Sequence, residues 1–170
     1  DLGIIRNHYT GRTFIEPSAE IRNLGVRLKH NANSAYLAGK RVILVDDSIV
    51  RGTTSKKIVS MVRAAGAAEV HMRVSSPPIS DSCYYGIDTP TKDELLASKY
   101  TIEEMAELIG VDTLAYITPD GLYKAVCGEA RIQDEPQFCD ACFTSAYPIP
   151  ITDHDDGLNP SQLSLLAEVD

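Results

Sequence analysis

The sequence predicts an α/β fold with a mostly parallel, doubly wound sheet and flanking helices. Three segments, at 41–45, 69–74 and 111–117, have the length and the apolar or alternating pattern of strands. Segments with helical spacing of apolar residues separate them, beginning at Thr53 and Thr101. Strands that alternate with helices are typical of a parallel sheet, because neighbouring parallel strands need a crossover connection.

The first strand and the helix after it follow from local patterns. The run RVILV at 41–45 is almost continuously apolar, which predicts a strand buried on both faces of the sheet. In the next helix, Ile58, Val62 and Ala65 share one stripe. We expect Gly66 to end that helix, since glycine readily adopts the left-handed conformation found at helix ends.

Capping patterns indicate three further helix starts. The T-x-x-E sequences at 91–94 and 101–104 both match a capping box. The Thr-Pro pair at 118–119 matches the N-cap and first residue of a helix. Regular patterns fade after residue 130, so we divide the chain into a domain at 1–130 and a cysteine-bearing C-terminal segment and tail at 131–170.

Composition and charge argue against a nucleic-acid surface or a membrane span. The 170 residues are 44% hydrophobic and carry a net charge of −8. No apolar run approaches the ~20 residues that a membrane span needs. Residues 1–41 carry a net charge of +4 and the remainder −12. This uneven distribution favours a small anionic ligand over a polyanion, with a solvated charged loop as the alternative.

The start of the chain suggests a fragment of a longer, cytoplasmic protein. The first residue is Asp1 rather than methionine, and nothing after it resembles a signal peptide. In a cytoplasmic protein, reduced thiols or a metal site are favoured over two disulfides. Cys139 and Cys142 form a C-x-x-C pair that, with Cys83, could ligate zinc or an iron–sulfur cluster if a fourth ligand joins them. Two reduced thiols in a loop are the alternative.

The segment VDDSIVRGTT at 45–54 has the residue types of a site for a phosphorylated sugar. Asp46 and Asp47 follow directly after a predicted strand, where open α/β sheets bind ligands. Their carboxylates suit ribose hydroxyls, bound directly or through Mg²⁺. Gly52 then leads into a helix whose first N–H groups can bind a phosphate. Additional hydroxyl donors are Ser48, Thr53 and Thr54.

Other interpretations of this segment are weaker. The G-x-x-x-x-G-K-[ST] pattern of a Walker A loop is absent. The alternative is an ordinary strand-to-helix turn, with two surface carboxylates and Thr53 as a plain N-cap. The combination of a buried strand, two acidic residues and a Gly-Thr-Thr sequence favours the phosphoribosyl site.

The segment at 45–55 resembles the signature that binds phosphoribosyl pyrophosphate (PRPP) in type I phosphoribosyltransferases. Its amino-acid sequence is most similar to that of the glutamine PRPP amidotransferase family, which is also called amidophosphoribosyltransferase. The resemblance extends over roughly residues 3–148. Other stretches that carry it are NHYTGRTFIEP (7–17), GVRLKHNAN (25–33), SSPPI (75–79), YYGIDTPTKDEL (84–95) and GVDTLAYITPDGL (110–122).

The resemblance implies a type I phosphoribosyltransferase fold whose first strands lie upstream of this chain, together with an N-terminal glutaminase domain. It implies that ammonia from glutamine is transferred to C1 of PRPP, forming 5-phosphoribosylamine, and that the enzyme is a homo-oligomer. It also implies Mg²⁺ at Asp46 and Asp47. The PRPP-binding residues that it implies are Asp46, Asp47, Ser48, Ile49, Val50, Arg51, Gly52, Thr53 and Thr54.

Two further groups of residues gain roles through the same resemblance. Tyr9 and Arg12 would lie on a catalytic loop that closes over PRPP. The basic residues expected near the substrate are Arg22, Arg27 and Lys29. One branch of the family carries a [4Fe–4S] cluster, and its pattern matches Cys83, Cys139 and Cys142, with the fourth ligand outside this chain. Cys127 matches no ligand position, and we expect it to be a buried thiol.

Two other functions share the PRPP loop and remain open from the sequence. A salvage phosphoribosyltransferase would need a base-binding hood, which we do not identify in this chain. A PRPP-sensing transcriptional regulator would need a helix-turn-helix domain and a basic face. The acidic composition outside 1–41 disfavours the regulator.

Overall fold

The structure is a computed structural model that describes residues 3–6, 30–133, 135–149 and 151. The strands are β1 (Ile4–Arg6), β2 (His30–Ala32), β3 (Arg41–Asp46), β4 (Glu69–Val74) and β5 (Thr113–Tyr116). The helices are α1 (Ser34–Leu37), α2 (Thr53–Ala64), α3 (Ile102–Ile109), α4 (Pro119–Cys127) and α5 (Ala141–Thr144). Two 3-10 turns occupy Lys92–Glu94 and Leu96–Ser98. Among the described residues, no helix combines the length and the apolar content needed to cross a membrane.

The central feature is a parallel sheet in the order β3-β4-β5. The helix α2 connects β3 to β4, and α3 lies on the connection from β4 to β5, as parallel neighbours require. The strands β1 and β2 form a separate antiparallel pair. The predicted α/β class with a parallel sheet and flanking helices is therefore confirmed. The three predicted strands are also present, the third with the shorter bounds of β5.

The main core lies between one face of this sheet and the helices α2 and α3. The central strand β4 is buried more deeply than its neighbours, because it is flanked on both sides. Burial of these apolar side chains is the main favourable contribution to the stability of the sheet and its helices. The buried members on these elements are Val70, Met72 and Val74 of β4, Val59 and Val62 of α2, and Met105 and Ile109 of α3.

The helix α2 has the stripe that its sequence predicts. Val62 is fully buried, and Ile58 and Ala65 pack against the same core. The helix ends at Ala64, and Gly66 follows in a left-handed conformation with φ of 93°. The predicted end of this helix is therefore confirmed, because the chain turns towards β4 at a residue that has no Cβ.

The ends of α3 and α4 also follow from sequence. The hydroxyl of Thr101 accepts the N–H of Glu104 (3.3 Å), whose carboxylate accepts the N–H of Thr101 (2.8 Å). This reciprocal pair is the predicted capping box. At the start of α4, Thr118 Oγ1 accepts the N–H of Gly121 (3.0 Å), so the predicted Thr-Pro start is confirmed as well.

Within the described residues, β3 is buried on one face only. Val42 and Leu44 pack against the main core, whereas Ile43 and Val45 are 64% and 76% exposed. The expectation that residues 41–45 are buried on both faces is therefore wrong. The reason is that α2 and α3 pack against the face that bears Val42 and Leu44, and the opposite face of β3 is open.

The T-x-x-E sequence at 91–94 does not form the predicted capped helix. It forms a 3-10 turn, and the Thr91 side chain makes no capping hydrogen bond. The carboxylate of Glu94 instead forms an ion pair with the guanidinium of Arg51. Because that carboxylate has a partner distant in sequence, it does not return to the Thr91 N–H as a capping box requires.

A buried ion pair fastens the segment that follows α4. Arg131 and Asp140 are paired, with side chains 12% and 5% exposed. The hydroxyls of Tyr123 and Thr144 donate to the same carboxylate at 3.0 and 3.1 Å. Burial alone would raise the pKa of Asp140, but the hydrogen bonds from Arg131, Tyr123 and Thr144 outweigh it and hold that pKa below its usual value. The network links α4 to α5.

We expect the Asp140→Ala substitution to lower the free energy of unfolding by about 3 kcal/mol, because it leaves the Arg131 guanidinium buried without a counter-charge. The double substitution Arg131→Leu/Asp140→Leu should cost less, since it removes both charges. The pKa of folded Asp140 lies below the ordinary value of 3.8. The contribution of its charge is therefore complete above that value and is lost as pH falls through the folded pKa.

Urea unfolding measures these differences, with Asp88→Ala as the matched control at an exposed aspartate. The control should change stability by less than about 0.5 kcal/mol. If Asp140→Ala and the control destabilised the protein equally, the buried network would not stabilise this segment.

Candidate functional site

The candidate site lies at the carboxyl end of β3, in the loop that leads to α2. We call residues 47–52 the β3–α2 loop. Asp46 is the last residue of β3, and its carbonyl accepts the N–H of Ser75 (3.0 Å) and the hydroxyl of Ser75 (3.1 Å). The loop thus begins where two parallel strands end together. Ligands of open α/β sheets bind at this edge.

The two adjacent carboxylates are oriented by the backbone that follows them. Asp46 is half-buried and Asp47 is exposed. Asp46 Oδ1 accepts the N–H of Asp47 (3.0 Å), and Asp47 Oδ1 accepts the N–H of Ser48 (2.7 Å). An ionised carboxylate can accept about four hydrogen bonds, so each retains capacity for hydroxyl donors or a cation.

The electrostatics of this pair favour a ligand that donates. Burial raises the pKa of Asp46, and the negative charge of Asp47 raises it further. A hydroxyl donor or a divalent cation between the carboxylates would offset both effects. Carboxylate oxygens are suitable ligands for Mg²⁺, which usually keeps several waters and binds substrate phosphates as well. The donor set therefore fits the Mg²⁺ that the resemblance implies.

The start of α2 provides the complementary, electropositive half of the site. Gly52 is the N-cap residue and makes no side-chain capping bond, and the first turn contains no acidic residue. The first main-chain bond of the helix runs from the N–H of Lys56 to the carbonyl of Gly52 (2.9 Å). The N–H groups of the first turn therefore point out of the helix end, where they can bind an anion.

Gly52 cannot readily be replaced by another residue. Its φ of 72° is left-handed, and a Cβ at this position would lie 2.8 Å from Cδ2 of Leu96. The left-handed backbone conformation favours glycine, and a Cβ would in addition displace the Leu96 side chain. Gly52, not Thr53, is thus the N-cap, and Thr53 is the first helical residue. The alternative in which Thr53 caps the helix is wrong, because the chain enters the helix through this left-handed glycine.

Three further residues of the loop, at 49–51, attach it to the rest of the fold. Ile49 is 2% exposed and belongs to the main core. The carbonyl of Val50 accepts the N–H of Leu96 (2.9 Å), and the guanidinium of Arg51 is paired with Glu94 (Nε to Oε2, 2.7 Å). The loop is therefore held by the main core and by the segment that contains Glu94 and Leu96.

Ser75, Glu94 and Leu96 contact the candidate site but were not recognised from sequence. The T-x-x-E pattern that includes Glu94 predicted a helix cap, because a capping box is recognised from the spacing of neighbouring residues alone. The residues predicted on the closing loop, Tyr9 and Arg12, lie outside the described residues. The same holds for the basic residues Arg22, Arg27 and Lys29.

The three predicted cluster cysteines lie in two segments that contact each other. The carbonyl of Cys142 accepts the N–H groups of Ser80 (3.0 Å) and Asp81 (3.2 Å). Burial raises the pKa of the Cys142 thiol, and the nearby thiols of Cys83 and Cys139 raise it further. Thiols are soft donors of the kind that iron–sulfur clusters use.

Two further observations concern the arrangement of possible metal ligands and the exposure of Cys127. In the part of the chain that the structure describes, no three His, Cys, Asp or Glu side chains are arranged to hold a metal ion. Cys127 is exposed, so the expectation of a buried thiol is wrong. It is the last residue of α4, and its thiol donates to the carbonyl of Tyr123 (3.1 Å).

The chain is similar to amidophosphoribosyltransferases of bacteria and plants. It is 57% identical over 168 residues to the enzyme of Rhizobium etli, covering 98% of this chain and 34% of that protein. It is 52% identical over 151 residues to the Bacillus subtilis enzyme, covering 89% and 32%. It is also 54% identical to chloroplastic amidophosphoribosyltransferase 1 of Arabidopsis thaliana, covering 89% and 26%. No family model matches the chain.

Solved structures give the same result for the fold. The glutamine PRPP amidotransferase of B. subtilis, complexed with ADP and GMP, superposes with a TM-score of 0.75 at 50% identity, covering 91% of this chain and 34% of that one. A structure described as the allosteric regulatory enzyme of purine biosynthesis gives 0.73 at 50% identity, covering 91% and 33%. The chain spans between about a quarter and a third of the length of the relatives named here. It is a homologue of this part of the amidophosphoribosyltransferases, and its parallel α/β sheet is consistent with the type I phosphoribosyltransferase fold.

Proposed function

We propose that the chain carries the PRPP site of an amidophosphoribosyltransferase, a pentosyltransferase. The full enzyme would transfer ammonia derived from glutamine to C1 of PRPP, releasing pyrophosphate and forming 5-phosphoribosylamine. This is the first step of de novo purine biosynthesis. The observation that carries the proposal is the acidic pair beside an uncapped helix start at the carboxyl edge of the sheet. It occurs in a chain 52–57% identical to the bacterial amidophosphoribosyltransferases named above.

Each half of the candidate site suits one part of PRPP. The N–H groups at the start of α2 would bind the 5-phosphate, helped by the hydroxyls of Ser48, Thr53 and Thr54. The carboxylates of Asp46 and Asp47 would accept the ribose 2′ and 3′ hydroxyls or hold Mg²⁺. Ile49, Val50, Arg51 and Gly52 would contribute main-chain groups, since Ile49 is buried and the Arg51 guanidinium is already paired with Glu94.

The reaction asks mainly for positioning from these residues. Ammonia displaces pyrophosphate at C1 through a transition state with oxocarbenium character, so the ribose must be held with C1 open to the incoming amine. The loop would fix the 5-phosphate and the hydroxyls on opposite sides of the ring. When bound, Mg²⁺ supplies charge stabilisation for the departing pyrophosphate. We propose that Tyr9 and Arg12 belong to a segment that closes over PRPP and excludes water.

The two alternative functions receive less support. The relatives named above are amidophosphoribosyltransferases, which transfer an amide nitrogen rather than a free purine or pyrimidine base. The net charge of −8 also disfavours a regulator that binds DNA. For the full protein we further propose a cytoplasmic location, an N-terminal glutaminase domain and a homo-oligomeric assembly.

We also propose that Cys83, Cys139 and Cys142 ligate a [4Fe–4S] cluster with a fourth ligand outside this chain. The support is the contact between the two segments, together with the rise in the pKa of the Cys142 thiol to which the Cys83 and Cys139 thiols contribute. A bound cluster would cross-link these segments and act structurally. Asp140, between Cys139 and Cys142, is paired with Arg131, which would help to hold the C-x-x-C segment in place.

The acidic pair provides the first test of the proposed function. In the full-length protein, Asp47→Ala should reduce kcat/KM for PRPP at least about a hundredfold, because ribose and Mg²⁺ both lose a ligand. Glutaminase chemistry should persist, since it takes place elsewhere in the protein. Phosphoribosylamine formation and glutamine hydrolysis are measured separately. Asp88→Ala, at an exposed aspartate remote in sequence, is the control and should leave both unchanged. Normal phosphoribosylamine formation in Asp47→Ala would refute the assignment.

The cysteines provide a second test, with Cys127 as an internal control. Full-length protein purified without oxygen should show broad visible absorption and about four irons per chain. Serine at Cys83, Cys139 or Cys142 should abolish both signals, whereas Cys127→Ser should leave them intact. Full iron content in Cys139→Ser would refute the ligand set, and bound zinc in place of iron would refute the cluster.

A further inference from the structure

We propose that Glu94 is a positioning residue for the β3–α2 loop. It acts through Arg51, and the segment 92–96 holds the loop and the start of α2 in the conformation that binds substrate. This inference rests on the proposed function of the loop as a PRPP site. It assigns a role to a segment that lies 43 residues further along the chain and does not itself supply a substrate ligand.

The first contact is the ion pair between Arg51 and Glu94. Arg51 Nε donates to Glu94 Oε2 at 2.7 Å, and Nη2 of the same guanidinium donates to the same oxygen. The 3-10 turn fixes the main chain of Glu94, whose N–H donates to the carbonyl of Thr91 (2.9 Å). A flexible arginine side chain is thus tied to a carboxylate on an ordered turn.

The second contact is with the main chain of the loop and with Gly52. The N–H of Leu96 donates to the carbonyl of Val50 (2.9 Å), and Leu96 Cδ2 occupies the space that a Cβ on Gly52 would need. Leu95, between the two contact residues, is fully buried. The segment therefore contacts three consecutive loop residues, Val50, Arg51 and Gly52. These directly precede the N–H groups that would bind the phosphate.

The other end of the segment is also anchored. Lys92 Nζ donates to Asp81 Oδ1 at 2.5 Å, and this contact lowers the pKa of Asp81 against the opposing effect of its burial. Asp81 also accepts the hydroxyl of Ser145 and donates its N–H to the carbonyl of Cys142. The segment is held at both ends, so it can define the position of the loop rather than follow it.

The Arg51–Glu94 pair is better explained by positioning than by global stability. Its two side chains are 53% and 51% exposed, and ion pairs this exposed contribute little to the stability of a fold. Ile49 and Leu95 are both buried and do not depend on the pair for their packing, so we expect them to stay buried when it is broken. Loss of the pair should therefore leave the protein folded while it loosens the loop.

The test compares Glu94→Gln with Asp93→Asn in the full-length protein. Asp93 is an exposed carboxylate on the same turn and is therefore a matched control. Glu94→Gln should raise the KM for PRPP about fivefold with kcat within about twofold, the size expected for loss of one exposed pair. Its melting temperature should stay within about 2 °C of the control. Asp93→Asn should leave the KM unchanged.

A double-mutant cycle with Arg51→Gln shows whether Glu94 acts through Arg51. The double variant should have the same KM as the single variants, because each breaks the same pair. Additive effects, or an unchanged KM in Glu94→Gln, would overturn the inference, as would a fall in melting temperature without a change in KM. Titration calorimetry of the unmodified protein with PRPP separates the two proposals. Absence of binding there refutes the PRPP site, whereas normal binding in Glu94→Gln refutes only the role of Glu94.

Discussion

The start of α2 is the constraint on which the arrangement of the candidate site depends. Its first N–H groups have no side-chain cap, and two carboxylates of like charge stand at the other end of the loop that leads to them. Neither feature stabilises an isolated strand-to-helix turn. A helix start is more stable when a side chain caps its N–H groups, and two adjacent carboxylates repel each other. Both become favourable when a ligand brings an anion to the helix end and hydroxyl donors or a cation to the carboxylates. The left-handed conformation of Gly52 joins the two halves.

Much of the fold serves to hold this turn. The carbonyl of Asp46 is tied to Ser75 at the end of the neighbouring strand, Ile49 is buried in the main core, and Leu96 closes on Gly52. From there, contacts lead through Lys92 and Asp81 to the segment that contains Cys142. The cysteine segment and the loop are therefore ends of one contiguous set of contacts.

Sequence reasoning succeeded where the determining interactions are local. The capping box at 101–104 and the glycine after α2 are defined within a few residues, and both are present. It failed where a contact with a residue distant in sequence determines the structure. Glu94 pairs with Arg51 instead of Thr91, the exposed face of β3 depends on which side the helices pack, and the β1–β2 pair joins segments about 25 residues apart. The loop at 45–54 was found because its chemistry is contiguous in sequence, whereas Ser75 and Leu96 approach it only in the fold.

The central claim is that one loop binds the two ends of the phosphoribosyl group. The most direct measurement is a crystal structure of the full-length protein with Mg²⁺ and a non-reactive analogue of PRPP. We expect the 5-phosphate oxygens within about 3 Å of the N–H groups at residues 52–54, the usual hydrogen-bond distance, and the ribose hydroxyls or Mg²⁺ at Asp46 and Asp47. A phosphate bound elsewhere, with the start of α2 occupied only by water, would contradict the account.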